Sequence, residues 1–410
     1  MTAAASVLEG LGGLRSWQED FYRDLHQHPE LSHQEHRTAE KTAEALTSSG
    51  FEVHTGIGGT GVVGVLGNGD GPTVLLRADM DALPVRETTG LPYATTVTVV
   101  DATGAEVPVA HACGHDAHVA CLVGAARLLA DAADSWSGTV VALFQPAEEV
   151  GGGARRMLDD QLASLFPKPD VAFAQHVLPG PAGTVATRTG PVLSAADSMR
   201  ITVFGRGGHG STPQATVDPV VLAAMIVIRL QTIVSREVPP GQTAVLTVGS
   251  LQAGTKSNII PDQAVLQLNI RTYSEATRAT ILEAIRRIVN AECAASGSPR
   301  EAEFELFDPF PLTDNDAATT ERVASAFTDF FGDRAGALGQ QSASEDFSDI
   351  PRALGTPYTY WSVGCTDPEV FRAADAAGGV AQDIPGNHSP EFAPVLQPTL
   401  DTGTQALVVA

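Results

Sequence analysis

Apolar positions fall into two regimes along the chain. In the first, Trp17, Phe21, Tyr22 and Leu25 recur at helical spacing, and a second helical stretch from Arg37 to Ser49 stops at Gly50, a residue suited to a C-terminal cap. Short continuous apolar runs follow at Val62 to Leu66, Thr73 to Leu76, Thr139 to Phe144 and Val171 to Ala174, bounded by Gly and Pro, with a helix from about Asp116 to Ala130 among them. Runs of this kind alternating with helices predict an α/β sheet covered on both faces. Near Gly190 the regime changes. Longer strands at Met199 to Phe204, Ala244 to Val248 and Ala264 to Ile270, with helices at about Thr216 to Ser235 and Glu275 to Ala295, predict a separate α+β domain of about one hundred residues. After Pro299 the chain returns to strand, helix (Asp316 to Phe331) and strand (Tyr358 to Val363). The expected organisation is an α/β domain in two parts, 1–188 and 303–410, interrupted by an inserted α+β domain at 189–302.

Composition narrows the function. The 410 residues are 43% apolar, enough for a sizeable core, and 25 Lys and Arg face 48 Asp and Glu for a formal charge of −23. Such a chain repels nucleic acid and anionic lipid. The segment from Met1 to Gly13 has neither the basic region nor the apolar core of a signal peptide, and the apolar stretch Val220 to Ile228 is far short of the ~20 residues that cross a bilayer. Four sparse, irregularly spaced cysteines do not form a disulfide framework, so a soluble cytoplasmic protein is expected. Cys121, Cys293 and Cys365 read as small buried apolar residues.

Candidate chemistry concentrates in a few places. His26, His28, His33 and His36 lie together, but no neighbouring carboxylate pair organises them, and they read as helix-end residues rather than a metal site. The segment His111-Ala-Cys-Gly-His-Asp-Ala-His118 is different: a thiol, three imidazoles and a carboxylate fall within eight residues just before a helix. A thiolate and an imidazole two residues apart, with Gly114 giving the turn its freedom, can face one ion; a helix cap around Asp116 with a buried Cys113 is the plainer alternative. Three strands then deliver ionisable groups at their carboxyl ends: Arg77-Ala-Asp79-Met-Asp81, Gln145-Pro-Ala-Glu148-Glu149 and Gln175-His176. That is where open α/β sheets place ligands. Near the C-terminus, His388 sits in the turn Pro385-Gly-Asn-His-Ser-Pro390.

With HACGHDAH, QPAEE, QHVLP and NHSPEF in this order, the sequence resembles the amidohydrolase group of the aminoacylase and dimetal carboxypeptidase superfamily, which includes hippurate hydrolases and hydrolases of indoleacetyl amino acids. The likeness runs from about Leu25 to Phe392. It implies two divalent metal ions per subunit, with Cys113 shared between them, His115, His176, Glu149 and His388 as the other ligands, and Glu148 as catalytic base. The inserted domain corresponds to the family's dimerisation or lid domain, implying a homodimer or a tetramer. Its motif Gly205-Arg-Gly-Gly-His209-Gly-Ser-Thr-Pro213 matches one whose histidine, in dimeric relatives, reaches a neighbouring active site and steadies the oxyanion. Asn258 and Arg271 match segments that contact the substrate carboxylate. Better-known relatives open their site with His-x-Asp, whereas this chain has Asp79-Met-Asp81, so Asp79 and Asp81 are expected to orient ligands rather than bind metal.

The expected reaction is hydrolysis of an N-acyl amino acid by a metal-activated water, with short peptides as the near alternative substrate. Zinc suits the thiolate and imidazoles, and manganese, cobalt and nickel are also compatible. Two other classes compete: a thiol amidase with Cys113 as nucleophile, and a metal-bearing binding protein without catalysis.

Overall fold

The computed structural model describes residues 2–101 and 103–410. It contains two compact units, one comprising Met1–Val192, Asp314–Gln340 and Asp346–Ala410, the other Leu193–Thr313 and Gln341–Glu345. The first unit opens with α1 (Leu11–Gln27), α2 (His36–Ser48), β1 (Glu52–Ile57), β2 (Gly61–Asn68), β3 (Thr73–Asp79), α3 (His115–Asp131), β4 (Gly138–Gln145), β5 (Val171–Pro181) and β6 (Val185–Thr187). The second holds β7 (Ala195–Phe204), β8 (Gly208–His209), α4 (Pro219–Arg236), β9 (Ala244–Ala253), β10 (Ile259–Ile260), β11 (Gln263–Thr272), α5 (Glu275–Ala295) and β12 (Glu303–Phe310). The first unit resumes with α6 (Ala317–Phe331), β13 (Ala335–Ala337), β14 (Tyr358–Thr366) and α7 (Leu396–Val409).

The expected α/β sheet is present as eight strands in the order β1-β2-β4-β3-β5-β14-β6-β13. Its centre is parallel, β3 pairing with β4 and β5, and β5 with β14; β1 and β2 are antiparallel additions. Because helices take one face, Leu76, Ala78, Phe144, Phe173, Val177 and Trp361 share a core with Leu25, Leu122, Leu400 and Leu407. The strands outrun the apolar runs that announced them. Strand β5 continues through Gln175 and His176 to Pro181 because β14 pairs alongside it, Ser362 opposite His176, so these polar residues lie within the sheet. Neither β1 nor α7 is visible as an apolar run.

The second unit has a four-stranded antiparallel sheet, β9-β11-β7-β12, and β11 shows strict alternation, with Ala264, Leu266, Leu268 and Ile270 buried. That face packs under α4 and α5 through Leu222, Ile226, Leu230, Ile281, Ile285 and Val289. Helix α4 starts at Pro219 rather than Thr216, since Asp218 caps it by accepting from the amides of Val220 and Val221. By length and composition α4 could cross a membrane; its Leu222, Ala223, Ile226, Leu230 and Ile233 are instead core residues of this unit. The anticipated boundary at residue 302 falls one residue before β12, which pairs with β7 (Ile201 opposite Phe304) and so extends the unit. All four cysteines are buried free thiols.

Candidate metal centre

Local backbone first places Cys113 and His115. Gly114, at φ +85°, precedes the first turn of α3, and a Cβ there would lie 2.4 Å from Val177 Cγ2, so the turn admits glycine alone. Cys113 Sγ is 3.4 Å from His176 Nε2. The ring of His176 is oriented by Nδ1, which donates to the Val177 carbonyl at 2.8 Å. His115 Nδ1 donates to the Asp81 carbonyl at 2.8 Å, which turns its Nε2 to within 3.9 Å of both Glu148 and Glu149. His388 Nε2 lies 3.3 Å from Glu149 Oε2. Candidate ligand atoms of Cys113, Glu149 and His388 lie within 4.8 Å of one another, as do those of His115, Glu148 and Glu149, and those of Asp79, His115, His118 and His176. The three strand ends and the C-terminal turn singled out in the sequence therefore converge.

Two buried carboxylates hold the acidic loop by its backbone. Asp81 accepts from the amides of Glu148 (3.1 Å) and Glu149 (3.0 Å), and Glu35 accepts from the amide of Ala147 (2.8 Å), a non-glycine residue at φ +52°. Sequence reading missed Glu35, which carries no motif. Asp79 accepts from His118 Nδ1 at 2.5 Å and Arg77 Nη1 at 2.7 Å. His118 Nε2 in turn accepts from the Val177 amide at 2.9 Å. Both nitrogens of His118 are thereby engaged, which sets it apart from the other imidazoles of the cluster. Arg77 is fully buried between Asp79, Gln145 and Phe347.

The electrostatics favour cations. Burial opposes a charged His115, but Asp79 and Asp81 outweigh it and raise its pKa to about 10. Burial, reinforced by Glu149 and Glu148, pushes the Cys113 thiol well above its ordinary range, while burial and His118 push His176 well below. His115 Nε2 and Glu149 Oε1 are buried without hydrogen-bond partners. Orphaned donor atoms of nitrogen and oxygen beside a thiol and two further imidazoles fit a divalent metal pair.

In the second unit, β8 and β10 pair with His209 opposite Ile259, and the Gly210 amide donates to the Asn258 carbonyl at 2.9 Å, so His209 and Asn258 are neighbours. His209 Nδ1 accepts from the Ser211 amide at 3.1 Å. A neutral His209 therefore carries its proton on Nε2. Arg271 donates to Asn269 Oδ1 (3.2 Å), the Ser342 carbonyl (2.9 Å) and Ser344 Oγ (3.0 Å) through Nε and Nη1.

The four N-terminal histidines disperse. His28 is exposed and bonds to the Asp24 carbonyl, and His33 approaches Arg156. A carboxylate pair does organise His26, contrary to the local reading, but it comes from far along the chain: Nδ1 meets Asp116 at 2.6 Å and Nε2 meets Glu87 at 3.2 Å.

The model for peptidase family M20/M25/M40 matches residues 75–376. The chain is 40% identical to thermostable carboxypeptidase 2 of Saccharolobus solfataricus, over 76% of this chain and 77% of that protein. It is 38% identical to N-acetylcysteine deacetylase of Bacillus subtilis (80% and 83%) and 36% identical to hippurate hydrolase of Campylobacter jejuni (80% and 83%). A solved structure of a dinuclear metal-binding peptidase of the M20 family from Bacillus subtilis superposes with a TM-score of 0.78, at 29% identity, covering 97% of each chain. The chain belongs to peptidase family M20/M25/M40 and is a metal-dependent amidohydrolase of that family, as the motifs implied.

Proposed function

We propose that this enzyme hydrolyses N-acyl amino acids, and that Cys113, His115, Glu149, His176 and His388 hold two divalent cations, zinc being the first candidate and manganese, cobalt or nickel alternatives. The observation that carries the reading is the convergence of these five side chains beside Glu148. Two cations held there would supply Lewis acidity toward the scissile carbonyl and would lower the pKa of the attacking water toward neutrality. Glu148 takes the proton of the attacking water and returns it to the departing amine. The Asp81 clamp on the Glu148 and Glu149 amides fixes the spacing between base and ligand. His209 offers Nε2–H to the developing oxyanion. Arg271, whose Nη2 is spared by the bonds of Nε and Nη1, takes the substrate carboxylate with Asn258.

Hippurate hydrolase and N-acetylcysteine deacetylase among the relatives support the N-acyl reading. Carboxypeptidase action on short peptides is the second reading, supported by the 40% identity to a thermostable carboxypeptidase. Apo-protein reconstituted with each metal and assayed on hippurate, N-acetyl amino acids, indoleacetyl amino acids and dipeptides separates the two. N-acyl amino acids should give the highest kcat/KM; a preference for dipeptides reverses the assignment, and no turnover on any of them rejects both.

A homodimer is also proposed. Val221, Met225 and Ile228 are exposed along one face of α4, and β9 is a sheet edge bearing exposed Val245 and Leu251. An apolar helix face beside an open edge favours self-association. Light scattering should give twice the chain mass of 42.6 kDa. Four free thiols support a reducing cytoplasmic location.

A further inference from the structure

Asn387 precedes the proposed ligand His388, and its side chain meets three acceptors. Nδ2 donates to the Cys113 carbonyl at 3.1 Å and the Val177 carbonyl at 3.2 Å, and lies 3.8 Å from Cys113 Sγ. The opposite amide orientation would set Oδ1 against two carbonyl oxygens and a sulfur, so the donor assignment follows from the partners. The next residue adds a backbone bond: the His388 amide donates to the Ala112 carbonyl at 2.7 Å. His388 itself sits at φ +72°, a conformation that a non-glycine residue keeps only when its surroundings hold it.

These contacts join three segments far apart in sequence. Cys113 lies before α3, Val177 follows His176 in β5, and Asn387 precedes His388. The Val177 carbonyl that receives Asn387 also receives His176 Nδ1–H, and the Val177 amide is held by His118. One carboxamide thus ties together the backbones that carry three of the five proposed ligands. We propose that Asn387 is the positioning residue that assembles Cys113, His176 and His388 into one metal-binding set. Among side chains of this size, only asparagine offers two N–H donors to such a group of acceptors; aspartate, of the same shape, would present a charge to them instead.

The inference rests on the ligand set proposed above, so the test separates the two. Apo-protein is titrated with Co2+, following bound metal by competition with a chelator and the thiolate-to-cobalt charge-transfer band by absorption. The wild-type chain should bind two ions and show the band; failure of either overturns the ligand set itself. With the wild type behaving so, Asn387→Leu should weaken Co2+ binding about 10–100-fold, the usual cost of losing a group that orients ligands, and should diminish the band. Since all three tryptophans (Trp17, Trp136 and Trp361) belong to the first unit, their emission reports the unfolding midpoint of the apo-protein there. Asn387→Leu should leave that midpoint nearly unchanged. Wild-type affinity and band in Asn387→Leu, or an affinity loss matched by a fall in the apo midpoint, would overturn the positioning role.

Discussion

In the first unit, Cys113, His115, His176 and Glu148 are buried, and an identified hydrogen-bond partner orients each imidazole or the backbone beneath each acid. In the second, His209 and Asn258 are exposed and Arg271 is partly so, on a glycine-rich turn and a half-buried sheet. The sheets differ in the same way. Strand β4 is buried almost throughout, whereas β11 buries every second residue. A covered sheet keeps charged groups out of water by hydrogen-bonding them to fixed partners, which sets their geometry in advance; a one-sided sheet leaves its polar groups hydrated and adaptable. Of the five proposed metal ligands, Cys113, His115 and His176 meet the first condition, while Glu149 is half-buried and His388 exposed; the proposed substrate contacts meet the second.

The comparison breaks most visibly at Glu148. Glu148→Gln should lower kcat about 10²–10⁴-fold, the range for a lost general acid–base group, while elemental analysis still finds two ions per chain. Activity within a few-fold of wild type would remove Glu148 from the mechanism. For stability, Arg77→Leu should cost about 3–5 kcal/mol by tryptophan-monitored urea unfolding, because it strands buried Asp79 without its guanidinium. The exposed pair of Arg200 with Glu305 in the second unit gives the contrast: Arg200→Ala should cost at most about 1 kcal/mol, read by hydrogen exchange along β7 and β12. Equal costs at the two sites would deny that burial distinguishes the units.

His209→Ala should lower kcat about 10²–10³-fold, as removal of one oxyanion donor does, without changing metal content. Mixing it with Glu148→Gln chains tests for action across a dimer: recovered activity supports it, and none denies it. A further test concerns pH. Burial opposes the His26 cation, but Asp116 and Glu87 raise its pKa to about 10 from 6.5. A raised pKa stabilises the fold fully below about 6.5, and that contribution is lost as pH rises through about 10. Unfolding midpoints of wild type and His26→Phe, in which Asp116 and Glu87 lose their shared cation, should therefore converge with rising pH; a gap constant from pH 6 to 10.5 would show that His26 is not charged in the native protein.

Much of this was readable beforehand, because its signals are local. Continuous apolar runs and strict alternation separated two kinds of sheet, and the i,i+2 spacing of Cys113 and His115 marked a candidate ligand turn, with a helix cap as the alternative, without reference to the rest of the chain. The β12 assignment was harder, since a strand's own residues do not say which sheet it joins; only its register with β7 does.

The sequence by itself determined the inventory of groups and the strand ends that deliver them, and with them the family. Asp79 and Asp81 were expected to orient ligands; tertiary structure alone decided which backbone groups the positioning side chains bind. Glu35 reaches the Ala147 amide across 112 positions, Asp81 the Glu148 amide across 67, and Asn387 the Cys113 carbonyl across 274. Backbone N–H and C=O groups are the same at nearly every residue, so a side chain that binds them leaves no matching pattern elsewhere in the chain, and its role exists only once folding brings the two together.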